Sequence, residues 1–260
     1  MTSDPVRHAF QTPVGEIWLW GDAQACDCDK PVVLFINGAF AIARPRAFEL
    51  PGLLTEASVL VAHLPGNHCP NTSAHSVAAY AEGFSSALDQ IGRPALVIGG
   101  SVGALVGLSI PSAAVRGQVI IEPPLLTGKL WCLIPTLRSV LANRGDEPGV
   151  REFIWSVFGV SETQLEPRDY RGLLENLTTP GCAMFGEQPL YPERAFQELP
   201  SLVDEPERRL LAAHPRIETR VIPIVGHNVP GRAIQFVRTE ARRLIQAWPS
   251  ESGSGSLPGS

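Results

Sequence analysis

The sequence predicts an α/β protein: a mostly parallel sheet with helices on both faces and a small helical lid inserted after its sixth strand. Three observations predict it. Short continuous apolar runs alternate with segments of helical spacing along the chain, as expected of strands buried on both faces. The interval between Glu122 and Cys182 spans about sixty residues, far more than an ordinary strand-to-helix connection. The third is Val97-Ile98-Gly99-Gly100-Ser101-Val102-Gly103-Ala104, where G-x-S-x-G stands between a strand-like run and a helix-like one.

The elements follow in order. Glu16–Trp20 alternates as a half-buried strand does, and the segment around Val6–Gln11 pairs with it as a hairpin. Pro31–Ile36 is a continuous apolar run stopped by Asn37-Gly38; Ala57–Ala62 is the next, stopped by Leu64-Pro65-Gly66. Asn71–Ile91 carries Val77, Tyr80, Ala81, Phe84, Leu88 and Ile91 at helical spacing and leads into the strand Ala95–Ile98. Ala104–Ile110 suits a helix packed on a sheet. Gln118–Ile121 is a short buried strand ended by Glu122-Pro123-Pro124. The long interval then presents Trp131, Leu137, Val140 and Leu141, followed by Phe153, Ile154, Trp155 and Phe158, at helical spacing. A lid is the reading taken; an ordinary pair of packing helices is the plain alternative. Cys182–Phe185 and Thr219–Val225 complete the strands, with helices expected at Leu202–Ala213 and Ile234–Trp248. The expected division is a core of residues 1–123 and 180–249, a lid of 124–179, and a linker-like tail, 250–260, expected to be disordered.

Composition bounds the partners. With 44% apolar and 18% charged residues in a chain of 260, a substantial core is expected. The net charge of −5 comes without a basic cluster, so nucleic acid is not an expected partner. Met1–Phe10 lacks an apolar leader, and no run approaches the ~18 apolar residues of a membrane span. Five cysteines, odd in number and scattered, fit a reducing compartment and a cytoplasmic location. Cys26-Asp27-Cys28 has no matching Cys/His pair, so no metal is expected, nor any other cofactor. A small-molecule substrate is the expected partner. Oligomeric state is not legible.

A serine between two glycines at a strand-to-helix junction is forced onto a sharp turn, where its side chain stands clear of the backbone. Its hydroxyl is a poor nucleophile without a base in reach and a third group to orient that base. His227, in Val225-Gly226-His227-Asn228-Val229-Pro230, follows the last strand and is delivered from a loop over the sheet end where Ser101 emerges. His8, His68, His75 and His214 lie in contexts of turn, helix or surface. His63 ends its strand at the edge of the expected cleft.

Phe35-Ile36-Asn37-Gly38-Ala39-Phe40, Leu64-Pro65-Gly66, Gly99-Gly100-Ser101-Val102-Gly103 and Gly226-His227-Asn228-Val229-Pro230 occur in this order across nearly the whole chain. In these pieces the chain resembles the α/β-hydrolase family, its serine hydrolase branch. The resemblance implies eight strands, a lid after strand six and a triad in the order serine, acid, histidine. It also implies an oxyanion hole from the main-chain amides of Ala39 and Val102. Two departures stand out. Asn37-Gly38 replaces the family's usual His-Gly; Asn37 either contacts substrate or satisfies loop backbone. No Asp follows the seventh strand, where Gly186-Glu187-Gln188-Pro189 stands instead. Some relatives carry the acid after strand six, the place of Glu122, so Glu122 and Glu187 both remain candidates.

The leading expectation is hydrolysis of an ester or thioester of a small apolar acyl compound, with Phe40, Trp131, Trp155 and Phe158 shaping the substrate pocket. A carbon–carbon bond hydrolase, cyclase or lyase is the first alternative, favoured if Arg138, Arg144 or Arg151 faces Ser101. A non-catalytic binding protein on the same fold is the second.

Overall fold

The structure is a computed structural model and describes residues 4–41 and 54–248. Eight strands form one sheet: β1 (Val6–Thr12), β2 (Gly15–Gly21), β3 (Val32–Ile36), β4 (Ser58–Ala62), β5 (Ala95–Gly100), β6 (Val115–Ile121), β7 (Gly181–Gly186) and β8 (Ile217–Ile222). The spatial order is β1-β2-β4-β3-β5-β6-β7-β8. β1 and β2 form an antiparallel hairpin, β2 joins β4 antiparallel, and every later pairing is parallel.

Alternation along β3 sets the two layers. Leu34 and Ile36 belong to one apolar cluster, with Tyr80, Phe84 and Leu88 of α1 (Val77–Ile91) and Leu105 of α2 (Val102–Leu108). Val33 and Phe35 point to the other face, packed with Val237, Ala241 and Leu244 of α7 (Ile234–Gln246). A two-residue period on a strand buried on both faces requires this split. Helix α1 starts later than periodicity suggested because the Ser76 hydroxyl caps it, accepting from the Ala79 amide at 3.2 Å.

Between β6 and β7 lie α3 (Ile134–Arg144) and α4 (Val150–Phe158), flanked by short 3-10 turns at Thr127–Lys129 and Arg171–Asn176. Leu137 and Leu141 of α3, and Phe153, Ile154, Val157 and Phe158 of α4, join the same cluster as Leu34 and Ile36. The insertion is therefore docked on the core through one continuous apolar contact. Helix α5 (Glu205–Ala213) begins three residues later than the apolar pattern indicated, because Asp204 and Glu207 form a reciprocal capping box. That leaves Leu202 and Val203 in a loop. A one-turn helix, α6 (Val229–Arg232), separates the β8 loop from α7.

Among the described residues, no helix is long and apolar enough to cross a membrane, and no cluster of His, Cys, Asp and Glu could hold a metal ion. The tail expected to be disordered lies outside the described residues.

Candidate active site

The turn from β5 to α2 holds Ser101 at φ 54°, ψ −123°, a conformation that a non-glycine residue keeps only when its surroundings impose it. The neighbouring glycines show why. A Cβ on Gly103 would lie 2.3 Å from the Ile36 carbonyl oxygen, and one on Gly99 would lie 2.3 Å from the Gly103 carbonyl oxygen. The strand-to-helix turn thus presses against β3, and the Ser101 amide donates to the Ile121 carbonyl at 2.8 Å. The side chain stays half-exposed.

The β3 loop packs against the same side chain: a Cβ on Gly38 would sit 2.9 Å from the Ser101 Cβ and 3.5 Å from its Oγ. The amide of Ala39 follows directly. The amide of Val102 is one of the donors that the first turn of α2 leaves without an intrahelical acceptor. Ala39 lines the same cleft as Ser101. Asn37 is buried, 6% exposed, and its Nδ2 donates to the Ala62 carbonyl at 3.3 Å. Its amide satisfies the loop backbone while the residue still lines the cleft.

That cleft, open to solvent, is lined by Asn37, Gly38, Ala39, Ser101, Leu199 and His227 among others. His227 follows β8, its amide donating to the Leu199 carbonyl at 2.8 Å. Its Nδ1 lies 3.4 Å from Glu122 Oε2. Among the described residues no hydrogen bond joins Ser101 to His227 directly; such pairs are often long in unliganded enzymes and tighten on substrate.

Glu122 ends β6 at φ 52° and is fully buried. A buried carboxylate is costly unless every oxygen is satisfied. Here Oε1 accepts from the Gly186 amide and Oε2 from the Leu202 amide, both at 2.6 Å. Glu187 is placed elsewhere. It is exposed, and its carboxylate accepts from the Ile224 amide at 2.9 Å. Of the two candidate acids, the structure brings only Glu122 to the imidazole.

The expected aromatic wall is also distributed differently. Trp131 packs with Leu130, Cys132, Leu190 and Leu202 and donates from Nε1 to the Leu190 carbonyl at 3.2 Å. Trp155 lies beneath the Arg168 guanidinium, 5.1 Å away, and Phe158 is buried in the core. None of the three lines the Ser101 cleft: Trp131, in a turn before α3, packs on Leu190 and Leu202, Trp155 meets Arg168, and Phe158 joins the core. Phe40, at φ 56°, lines a narrow crevice with Leu64, Pro65, His75, Arg144, Val150 and Phe153. Its ring meets Phe153 edge-on at 5.6 Å.

Sequence reasoning missed three contributors. His75 is buried, 4% exposed, with Nδ1 2.9 Å from the Tyr80 hydroxyl; burial holds its pKa below the usual imidazole range. Gly186 and Leu202 act through main-chain amides, which leave no trace in residue type. The pattern G-x-S-x-G, by contrast, was visible because its function demands the glycines.

The family model that matches the sequence is described as the alpha/beta hydrolase family and covers residues 33–257. Among solved structures, the chain is similar to carboxylesterase CesB (YbfK) from Bacillus subtilis, at 13% identity and a TM-score of 0.66, over 95% of this chain and 93% of that one. It is similar to the naproxen esterase (carboxylesterase NP) of Bacillus subtilis, at 15% identity and a TM-score of 0.64, over 93% and 91%. A bromoperoxidase from Bacillus anthracis is similar at 12% identity and a TM-score of 0.66, over 93% and 100%. A search of the curated proteins finds no match. At these identities the structural likeness speaks for the fold alone.

Proposed function

Since the chain belongs to the alpha/beta hydrolase family, we propose that it is a serine hydrolase cleaving an ester or thioester of a small apolar acyl compound through an acyl-enzyme on Ser101. One observation carries the reading. A serine held at φ 54° on a strand-to-helix turn shares a cleft with His227, whose Nδ1 faces the buried Glu122 carboxylate.

In the proposed mechanism Ser101 Oγ attacks the acyl carbonyl while His227 Nε2 takes its proton. Glu122 fixes the tautomer that leaves Nε2 free and balances the imidazolium charge. The oxyanion accepts from the amides of Ala39 and Val102, near the positive end of α2. His227 then passes its proton to the departing alcohol or thiol. Water, deprotonated by the same nitrogen, attacks the acyl-enzyme and releases the acid, restoring Ser101.

The apolar side chains of Phe40, Leu64, Pro65, Val150 and Phe153 along the narrow crevice support an apolar acyl group. The arginines weigh against an acidic substrate. Arg144 edges that crevice over the Phe40 ring, but its charge is taken up bidentately by Glu147 at 2.9 and 2.7 Å; Arg151 pairs with Glu162, Arg138 is exposed, and none of the three lines the Ser101 cleft. The carboxylate behind His227 weighs against a purely binding role. In this reading α3 and α4 serve as the lid.

A fluorophosphonate probe is expected to label the folded protein, Ser101→Ala to abolish labelling, and short-chain p-nitrophenyl esters to be hydrolysed. A folded sample that neither labels nor hydrolyses any ester would overturn the reading.

A further inference from the structure

We infer that Arg208 is a positioning residue for this site, locking in place the two backbone segments whose amides hold Glu122; the inference rests on the serine hydrolase reading above. Glu122 accepts from Gly186 N and Leu202 N, and these residues lie on separate stretches of chain. Arg208, in the first turns of α5, grips both. Its Nη2 donates to the Gly186 carbonyl at 2.7 Å and to Ser201 Oγ at 3.3 Å, and its Nε donates to the Val203 carbonyl at 3.1 Å. Leu202 therefore sits between two residues that Arg208 holds. Ser201 Oγ closes the bracket by donating to the Val203 carbonyl at 3.1 Å. The same segment reaches the base, since the Leu199 carbonyl accepts from His227 N.

The distribution of charge singles Arg208 out. An arginine fork ordinarily pairs with a carboxylate, and acids are at hand on α5. Arg209 takes Glu205 at 2.9 Å, and Lys129 takes Asp204 at 2.8 Å and also Glu207. At the cleft Glu198 pairs with Arg232 at 3.3 Å. Among the described residues no carboxylate forms an ion pair with Arg208; its donors are committed to main-chain oxygens and one hydroxyl, with the guanidinium 5.2 Å over the Phe185 ring. A half-buried cation spent in this way fixes backbone. The segment it fixes has no strand or helix of its own to do so.

Positioning has a signature that general stability lacks. A displaced carboxylate leaves substrate binding intact and slows proton transfer through His227, so kcat falls while KM holds. A cation restored at the same place restores part of that loss.

The experiment compares wild type, Arg208→Gln, Arg208→Lys and Ser201→Ala as full chains, by ester kinetics across pH, thermal unfolding and fluorophosphonate labelling. For Arg208→Gln, kcat is expected to fall roughly ten- to a hundredfold at nearly constant KM, as for other displaced supporting groups. Arg208→Lys should recover part of kcat. Ser201→Ala should lose roughly threefold in the same direction, and it serves where Arg208→Gln does not fold. Folded variants with kcat within twofold of wild type, or an Arg208→Lys no better than Arg208→Gln, overturn the inference while Ser101 labelling leaves the hydrolase reading intact. Absence of Ser101 labelling in wild type overturns both.

Discussion

Replacing Glu122 by glutamine separates the two candidate acids and tests how the carboxylate is held. Both of its oxygens accept a main-chain amide at 2.6 Å, and the residue is fully buried. A glutamine amide offers an oxygen on one side only, so one buried N–H must face an NH2. Losing one charge-assisted hydrogen bond and stranding that donor costs about 3–5 kcal/mol. In a chain of this size that lowers Tm by roughly 6–20 °C. The catalytic loss is larger. An amide in place of a triad carboxylate holds the wrong tautomer and drops kcat about 10⁴-fold, about 5 kcal/mol of barrier. Initial rates on the best p-nitrophenyl ester, taken well below the variant's Tm, report this separately from unfolding. Glu187→Gln should stay within about twofold, since its exposed side chain retains an oxygen for the Ile224 amide. Glu122→Gln keeping more than a tenth of wild-type kcat, or Glu187→Gln matching its loss, would refute the assignment.

Gly103→Ala puts a Cβ against the Ile36 and Asn37 carbonyl oxygens at 2.3 and 2.6 Å; a cost above about 4 kcal/mol is expected, seen as collapse of soluble yield or of Tm. Lys129→Met strands Glu207, whose side chain is 1% exposed, and should cost about 3–5 kcal/mol, read by chemical denaturation. His75 is buried with its pKa depressed by desolvation, so the unfolded chain binds the proton more readily. Stability from this residue is present above the unfolded histidine pKa and declines as pH falls below it. Tm should drop on acidification through that range, and His75→Asn should flatten the drop; an equal slope in the variant would count against it.

The fold was legible because its demands fall on residue types. Buried parallel strands require unbroken apolar runs such as Pro31–Ile36, and the turn at Ser101 requires glycine where a Cβ would strike backbone 2.3 Å away. Ser101 and His227 could be assigned to one cleft because each is tied to a strand end. The insertion's aromatics could not, because helical spacing does not say which neighbour a face will meet. Trp131 and Trp155 share that spacing with Phe153, yet only Phe153 reaches the crevice beside Phe40. Nor could sequence separate Glu122 from Glu187, since the difference lies in amides contributed by Gly186 and Leu202.

On the proposed reading, the sheet explains why an acid at the end of β6 can stand in for one after β7. Ser101, Glu122 and Gly186 close three neighbouring strands, β5, β6 and β7, in that order. Ile121 pairs with Met184, and the Glu122 amide donates to the Met184 carbonyl at 2.9 Å. A side chain leaving β6 there must cross one strand spacing, about 4.8 Å, to come under the loop after β8. The positive φ of Glu122 (52°) turns the side chain toward β7, and its second methylene gives the reach an aspartate would lack. Glu122→Asp therefore tests reach with charge preserved: it should lose His227 contact and most of kcat, despite keeping the carboxylate. A variant with unchanged kcat would mean that the carboxylate acts through charge alone, at a distance the shorter side chain can still serve.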